Sequence, residues 1–153
     1  MTNNLEIWQD IFYPRSVAVI GASSNPFKMG HQCLLSLRES KFPKPIYPIN
    51  PQEKEILGWK VYAHLEQVPE KVDLAILSIP AGEVLGALKA CCQKGVKGAV
   101  IITAGFKEIE DETGNKLQQE MAALANQGGI KIIGPNTFGM VNIHAQLNAS
   151  FTP

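Results

Sequence analysis

The sequence predicts an α/β protein built on an open, doubly wound parallel sheet. Three observations carry this. Apolar, β-branched runs of strand length, at residues 16–20, 46–49, 72–79, 99–103 and 130–133, alternate with amphipathic stretches of helical period. These runs are apolar at nearly every position, the mark of strands buried on both faces. The segments between them are too long for hairpins and fit right-handed parallel crossovers. The simplest order for these strands, numbered along the chain, is 3-2-1-4-5, which makes the fold Rossmann-like.

Each element has a local reason. Leu5, Trp8 and Phe12 recur at helical spacing and predict a short helix packed on the domain edge, ended by Pro14. The first strand stops at Gly21. A small polar loop through Ala22 and Ser23 follows, and Gly30 opens a helix over 30–41 with Cys33, Leu34 and Leu37 on one side. Pro48 inside the second strand marks an edge position, and Asn50-Pro51 turns the chain. An extended piece over 58–62 and a brief helical turn over 65–68 precede the third strand, which Pro80 stops. The helix over 83–94 carries Val84, Leu88 and Cys91 on one stripe and Gly95 as its cap. The helix over 113–127 runs through Leu117, Met121 and Leu124 and ends at Gly128-Gly129. Residues 140–143 read as a sixth strand. The organisation expected is a helical lead-in over 1–14, a single domain over 15–146, and, over 147–153, the start of a connection to a further domain.

Composition narrows the function classes. The chain has 153 residues, enough for one domain with a substantial core. Fourteen Lys and Arg balance fourteen Asp and Glu, so charge gives no reason to expect a nucleic acid or an anionic membrane as partner. No apolar stretch approaches bilayer-spanning length, and the first residues lack the basic-then-apolar order of a secretory signal. Cys33, Cys91 and Cys92 are odd in number and have no framework spacing; the adjacent pair reads as helix packing in a reducing compartment. The expected location is cytoplasmic.

In a parallel sheet, ligands bind beyond the carboxyl ends of the strands. Here those ends carry Gly21-Ala22-Ser23, Asn50-Pro51, Pro80-Ala81-Gly82, Thr103-Ala104-Gly105-Phe106 and Gly134-Pro135-Asn136-Thr137-Phe138-Gly139. Small residues let backbone N–H groups approach a ligand closely. Five such loops form one long rim, suited to an extended ligand. The strand–Gly21–loop–Gly30–helix order is that of a phosphate-binding turn, with Ser23 where a dinucleotide fingerprint has its second glycine. Lys28 reads equally as a phosphate partner or a solvated lysine. Asn50 stands where an NAD site wants an acid for the ribose hydroxyls; it reads equally as a turn-forming residue. His31, His64 and His144 share no metal-ligand spacing, His31 reading as a partly exposed helix residue. No Ser-His-Asp or Cys-His arrangement is readable. The acidic run 108–112 reads as a solvated approach to a helix, and Phe106 and Trp59 as packing residues.

Taken in order, Pro14-Arg-Ser-Val-Ala-Val-Ile-Gly-Ala-Ser23, the Asn50-Pro51 turn, Val72-Asp-Leu-Ala-Ile76, Thr103-Ala-Gly-Phe-Lys-Glu108 and Gly134-Pro-Asn-Thr-Phe-Gly139 resemble the N-terminal CoA-binding domain of the NDP-forming acyl-CoA synthetases. ADP-forming acetyl-CoA synthetase is such an enzyme, and the succinyl-CoA synthetase α subunit a more distant relative. The resemblance covers essentially the whole chain and implies coenzyme A as the ligand. It implies that Gly21, Ala22 and Ser23 hold the CoA phosphates, with Pro26, Lys28 and Gly30 nearby. Asn50 and Pro51 would flank the adenosine. Ile79, Pro80 and Val84 would border the adenine or the pantetheine arm. Thr103, Ala104, Gly105 and Phe106 would line the pantetheine path, and Asn136 would lie near the reacting end.

In that family the reaction runs through an acyl phosphate and a phosphohistidine carried by the next domain. None of His31, His64 or His144 matches the catalytic position, and Thr137 stands where relatives often carry Cys. The expectation is a domain that binds CoA or acyl-CoA and relies on catalytic and ATP-grasp domains or subunits as partners. The rival is a stand-alone CoA- or NAD(H)-sensing module; redox-sensing repressors share a related sheet but need a DNA-binding helical domain. A ligand-free interaction domain fits least, because the loops are small and polar rather than apolar.

Overall fold

A computed structural model describes residues 4–153, so Met1, Thr2 and Asn3 of the expected lead-in lie outside the described residues. Helix α1 (Asn4–Phe12) leads into strand β1 (Val17–Ile20), and α2 (Met29–Glu39) returns the chain to β2 (Ile46–Ile49). A small hairpin of β3 (Glu55–Ile56) and β4 (Trp59–Lys60) and a 3-10 turn at Leu65–Gln67 precede β5 (Leu74–Leu77). Helix α3 (Val84–Lys94), β6 (Gly98–Ile101), α4 (Glu112–Gly128) and β7 (Lys131–Ile133) complete the alternation. Strands β8 (Gly139–Asn142) and β9 (Leu147–Ser150) form a second antiparallel hairpin.

The five main strands are all parallel, in the order β2-β1-β5-β6-β7. The central strands are apolar on both faces because both faces are covered. Ala18, Ala75, Leu77, Ala99 and Ile101 pack with Leu88 and Cys91 of α3 and Met121 of α4. Val17, Val19, Leu74, Ile76 and Val100 pack with Ile11 of α1, Cys33, Leu34 and Leu37 of α2, and Leu147 and Ala149 of β9. This is the expected Rossmann-like α/β architecture in one domain.

Four expectations are corrected. The strand order is 2-1-3-4-5 for the five runs read from sequence, because β5 pairs with β1 on the side away from β2. The outer edge of β2 is taken instead by the extended piece after β4. There Tyr62 bridges Ile49, donates its N–H to the Pro48 carbonyl and accepts from the Asn50 N–H. The predicted sixth strand is β8, which pairs antiparallel with β9 outside the main sheet. Residues 147–150, read as the start of a connection, are that partner strand, and Leu147, Ala149 and Ser150 are buried. In α1 the stripe runs through Ile11 rather than Leu5, Trp8 and Phe12, which are exposed (Leu5 at 72%). Ile11 fills the space above Gly98, where a Cβ would stand 2.6 Å from its Cγ1.

At the amino edge of the sheet, Arg15 and Asp73 tie β1 to β5. The Asp73 carboxylate, 5% exposed, accepts from the Arg15 backbone N–H at 2.9 Å and from the guanidinium at 2.9 and 3.2 Å. Beside it the Ser16 hydroxyl donates to the Lys71 carbonyl and accepts from the Asp73 N–H. Burial pushes the Asp73 carboxyl up, but the hydrogen bonds from Arg15 outweigh it and hold the group below its ordinary value. A depressed carboxyl stabilises the fold fully above its unfolded pKa, about 3.9, and loses that contribution as pH falls through the folded value. Asp73→Asn is therefore expected to lower stability by about 1–2 kcal/mol at pH 7, allowing for screening at the exposed guanidinium. The gap to wild type should narrow as the pH falls below the unfolded value and through the folded one. Urea denaturation across that range checks this; a gap that stays constant contradicts it.

Candidate functional site

The loops after β1, β2, β5, β6 and β7 gather at the carboxyl edge of the sheet, where two adjoining cavities of about 630 and 600 Å³ share Gly21, Lys28, Asn50 and Ile79 and so form one groove. Gly21, Ala22, Ser23, Lys28, Gly30, Asn50, Ile79, Pro80, Thr103, Ala104 and Asn136 line the first cavity, and Pro51 lines the second.

The turn between β1 and α2 is built on two glycines. Gly21 has φ +89, and a Cβ there would overlap the Ser78 carbonyl oxygen. A Cβ on Gly30 would overlap the carbonyl oxygen of Gly21 itself. Side chains then fix the loop. Ser23 is buried; its hydroxyl accepts from the Asn25 N–H at 3.1 Å, which leaves its own proton to donate. The Asn25 side chain accepts from the Phe27 N–H. Asn50 donates from Nδ2 to the Ala22 carbonyl at 2.7 Å and accepts the Gln52 N–H on Oδ1, so both ends of its amide are engaged.

His31, read as partly exposed, is buried, and its Nδ1 donates to the Ser23 carbonyl at 2.9 Å. The N–H groups of Ala22 and Ser23 donate to nothing among the described residues, and those of Met29 and Gly30 sit in the first turn of α2, where no intrahelical acceptor exists. These are the donors a phosphate needs. The Ser24 N–H is already taken by both oxygens of the Glu53 carboxylate, at 3.0 and 3.2 Å.

The other loops are joined to one another. The Thr103 hydroxyl donates to the Ile79 carbonyl at 2.7 Å, and the Asn136 N–H donates to the Thr103 carbonyl at 2.9 Å. The Glu108 carboxylate accepts from the N–H groups of Gly105 and Phe106, the Gly105 bond being the main reason its carboxyl lies below the ordinary value. Asp111 caps α4 by accepting the Gly114 N–H. The acidic run is thus a loop latch and a helix cap, not only a solvated approach.

Four expected residues are not brought to the groove. The Phe106 side chain is 0% exposed in the core with Met121, so it packs rather than lines a pantetheine path. Val84 is likewise buried under α3. Gly105 spends its N–H on Glu108. Pro26 is exposed beside the loop, its carbonyl accepting from the Gln32 side chain.

Sequence reasoning missed Met29, Ser78, Ile102, Thr137, Phe138 and Phe151 as lining residues. Thr137 and Phe138 belong to a loop it had singled out; Phe151 reaches the groove only through the β8–β9 pairing. Burial pushes the Cys33 and Cys91 thiols up to about 12, which keeps them protonated and inert at neutral pH. Among the described residues, no helix is long and apolar enough to cross a membrane, and no cluster of His, Cys, Asp and Glu is arranged to hold a metal.

A parallel sheet with a glycine-built turn and a groove crossing all its carboxyl ends is the architecture of a nucleotide-binding domain. Residues 15–143 match the family described as CoA binding domain, and the chain belongs to that family. It is 46% identical over 140 residues to acetate–CoA ligase (ADP-forming) II subunit alpha of Pyrococcus furiosus, a match covering 92% of this chain and 30% of that protein. It is 44% identical over 142 residues to acetate–CoA ligase (ADP-forming) I of Archaeoglobus fulgidus, covering 93% of this chain and 20% of that one. The structure of dinucleotide forming acetyl-coenzyme A synthetase 1 from Ca. Korarchaeum cryptofilum, in complex with phosphate and ADP, superimposes with a TM-score of 0.90 at 42% identity over 95% of this chain and 31% of that one. The resemblance read from the strand-end loops therefore holds for the domain, and the chain spans only 20–31% of the length of these relatives.

Gly30→Ala is expected to destabilise the domain by about 3 kcal/mol, because backbone meets the added methyl on a strand end that cannot move. Gly86→Ala, in α3 with nothing within 4 Å of the new Cβ, should instead gain up to about 1 kcal/mol. Thermal denaturation of both variants tests this; equal effects would show that the β1–α2 approach is not the constraint.

Proposed function

We propose that this chain binds coenzyme A along the groove and serves as the CoA-binding part of an ADP-forming acyl-CoA synthetase. The observation that carries this is the continuity of the groove across all five strand ends, with the phosphate turn at its middle. CoA is a long, flexible molecule with a charged diphosphate between two arms. Its diphosphate would take the free N–H groups of the turn, the Ser23 hydroxyl and the Lys28 ammonium. Its adenosine would lie toward Asn50 and Pro51, and its pantetheine arm along Thr103 and Ala104 toward Asn136. In such a ligase CoA is a substrate, its thiol receiving the acyl group. The phosphohistidine and ATP-grasp functions would fall to partner domains or subunits, as the greater length of the relatives supports. On this reading the protein works in the cytoplasm.

CoA at a hundred times its Kd should stabilise the domain by about 2.7 kcal/mol, raising the thermal midpoint by about 5–10 °C. Ser23→Glu should abolish the shift by placing a carboxylate against the diphosphate. Calorimetry showing no CoA binding at millimolar concentration sinks the proposal, and a stronger response to NADH than to CoA, read on Trp8 and Trp59 fluorescence, would favour the sensing module.

A further inference from the structure

Helix α1 turns an apolar stripe to solvent. Leu5, Trp8 and Phe12 lie along one side of it at helical spacing and are exposed, while Ile11 of the same helix sits over Gly98, the first residue of β6. Two contacts fix the stripe. The Trp8 and Phe12 rings stack with centroids 6.1 Å apart, and the Asn142 side chain donates to the Phe12 carbonyl at 2.8 Å. That bond holds the turn of the β8–β9 hairpin against the end of α1, where Tyr13 and Ile143, the latter 78% exposed, extend the apolar surface. An exposed apolar patch edged by polar groups marks a protein–protein contact. The charges around it are divided along its length. Glu6 and Asp10 lie on the helix, which carries no Lys or Arg over Asn4–Phe12. Past its far end stand Arg15 and Lys44, the latter lining a cavity of about 230 Å³ with Tyr13 and His144. A surface acidic at one end and basic at the other complements itself. Turned about a two-fold axis, each acidic end meets the basic end of the other copy while the apolar stripes cross.

We propose that this face is a two-fold contact between two copies of the chain, the α1 stripes packed antiparallel with Glu6 of each copy facing Lys44 of the other. The contact is independent of the CoA reading, because α1 covers the amino end of β6 and the groove lies at the carboxyl ends of the strands. A short helix and one hairpin turn from each copy make a small interface, so the association is weak, with a Kd of about 10–100 µM.

The test is sedimentation equilibrium of the full chain from about 5 to about 500 µM, a range that spans that Kd. The expected result is a monomer at the low end and a dimer at the high end. Trp8→Glu, which puts a charge at the centre of the stripe, should stay monomeric throughout. Glu6→Lys and Lys44→Glu should each associate about tenfold more weakly alone, and recover the wild-type Kd when mixed, because only the mixed pair restores both opposite-charge contacts. Each variant is first shown to melt cooperatively. A wild-type chain that stays monomeric at the highest concentration overturns the proposal and leaves the stripe to a different partner. A dimer that survives Trp8→Glu, or charge variants that do not recover on mixing, overturns it as well, by placing the contact elsewhere or in another orientation.

Discussion

The rest of the structure depends on the approach of two backbones, at Gly21 and Gly30. The end of β1 and the first turn of α2 meet so closely that Gly30 has no room for a methyl group, and Gly21 has none on its other side, against the Ser78 carbonyl just past β5. That approach aims the first-turn amides of α2 at the carboxyl edge of the sheet and seats Cys33, Leu34 and Leu37 on its face. Without it α2 would lift from β1, and the β8–β9 hairpin, whose Leu147 and Ala149 share the same core, would lose its seat.

The rim above is one unit because the loops are bonded to each other. Gly21 donates to the Ile49 carbonyl, Asn50 to Ala22, Ser78 to Ile20, Thr103 to Ile79, and Asn136 to Thr103. Each bond joins a loop to its neighbour across the sheet, so the five strand ends hold a common shape. A long ligand laid on such a rim loses its own freedom but does not have to order the protein, which is the economy of preorganisation.

Much of this was legible in the sequence, for reasons visible in particular residues. Near-continuous apolar runs marked strands buried on both sides, and the stripe Val84, Leu88, Cys91 with Gly95 marked α3 almost to the residue. Groove-lining residues were legible where the signal was a loop type at a strand end, since topology alone brings those loops together. What was hidden involved partners far apart in sequence. Crossover length does not say on which side of β1 the next strand docks, so strand order was misread. Phe106 follows β6 like a lining residue, yet its backbone turns it into the core. Glu53 on Ser24 and the pairing that carries Phe151 to the groove are distant contacts that no local pattern announces.

The carboxylate of Glu53 on the Ser24 amide has a consequence for the energetics of the phosphate turn. The chain already supplies one anion to this loop. Any ligand oxygen arriving at that amide takes part in an exchange, releasing a carboxylate into water as it docks. The affinity measured at this position is then a difference between two anions competing for one donor, and the turn is never bare of negative charge, whichever of them holds it.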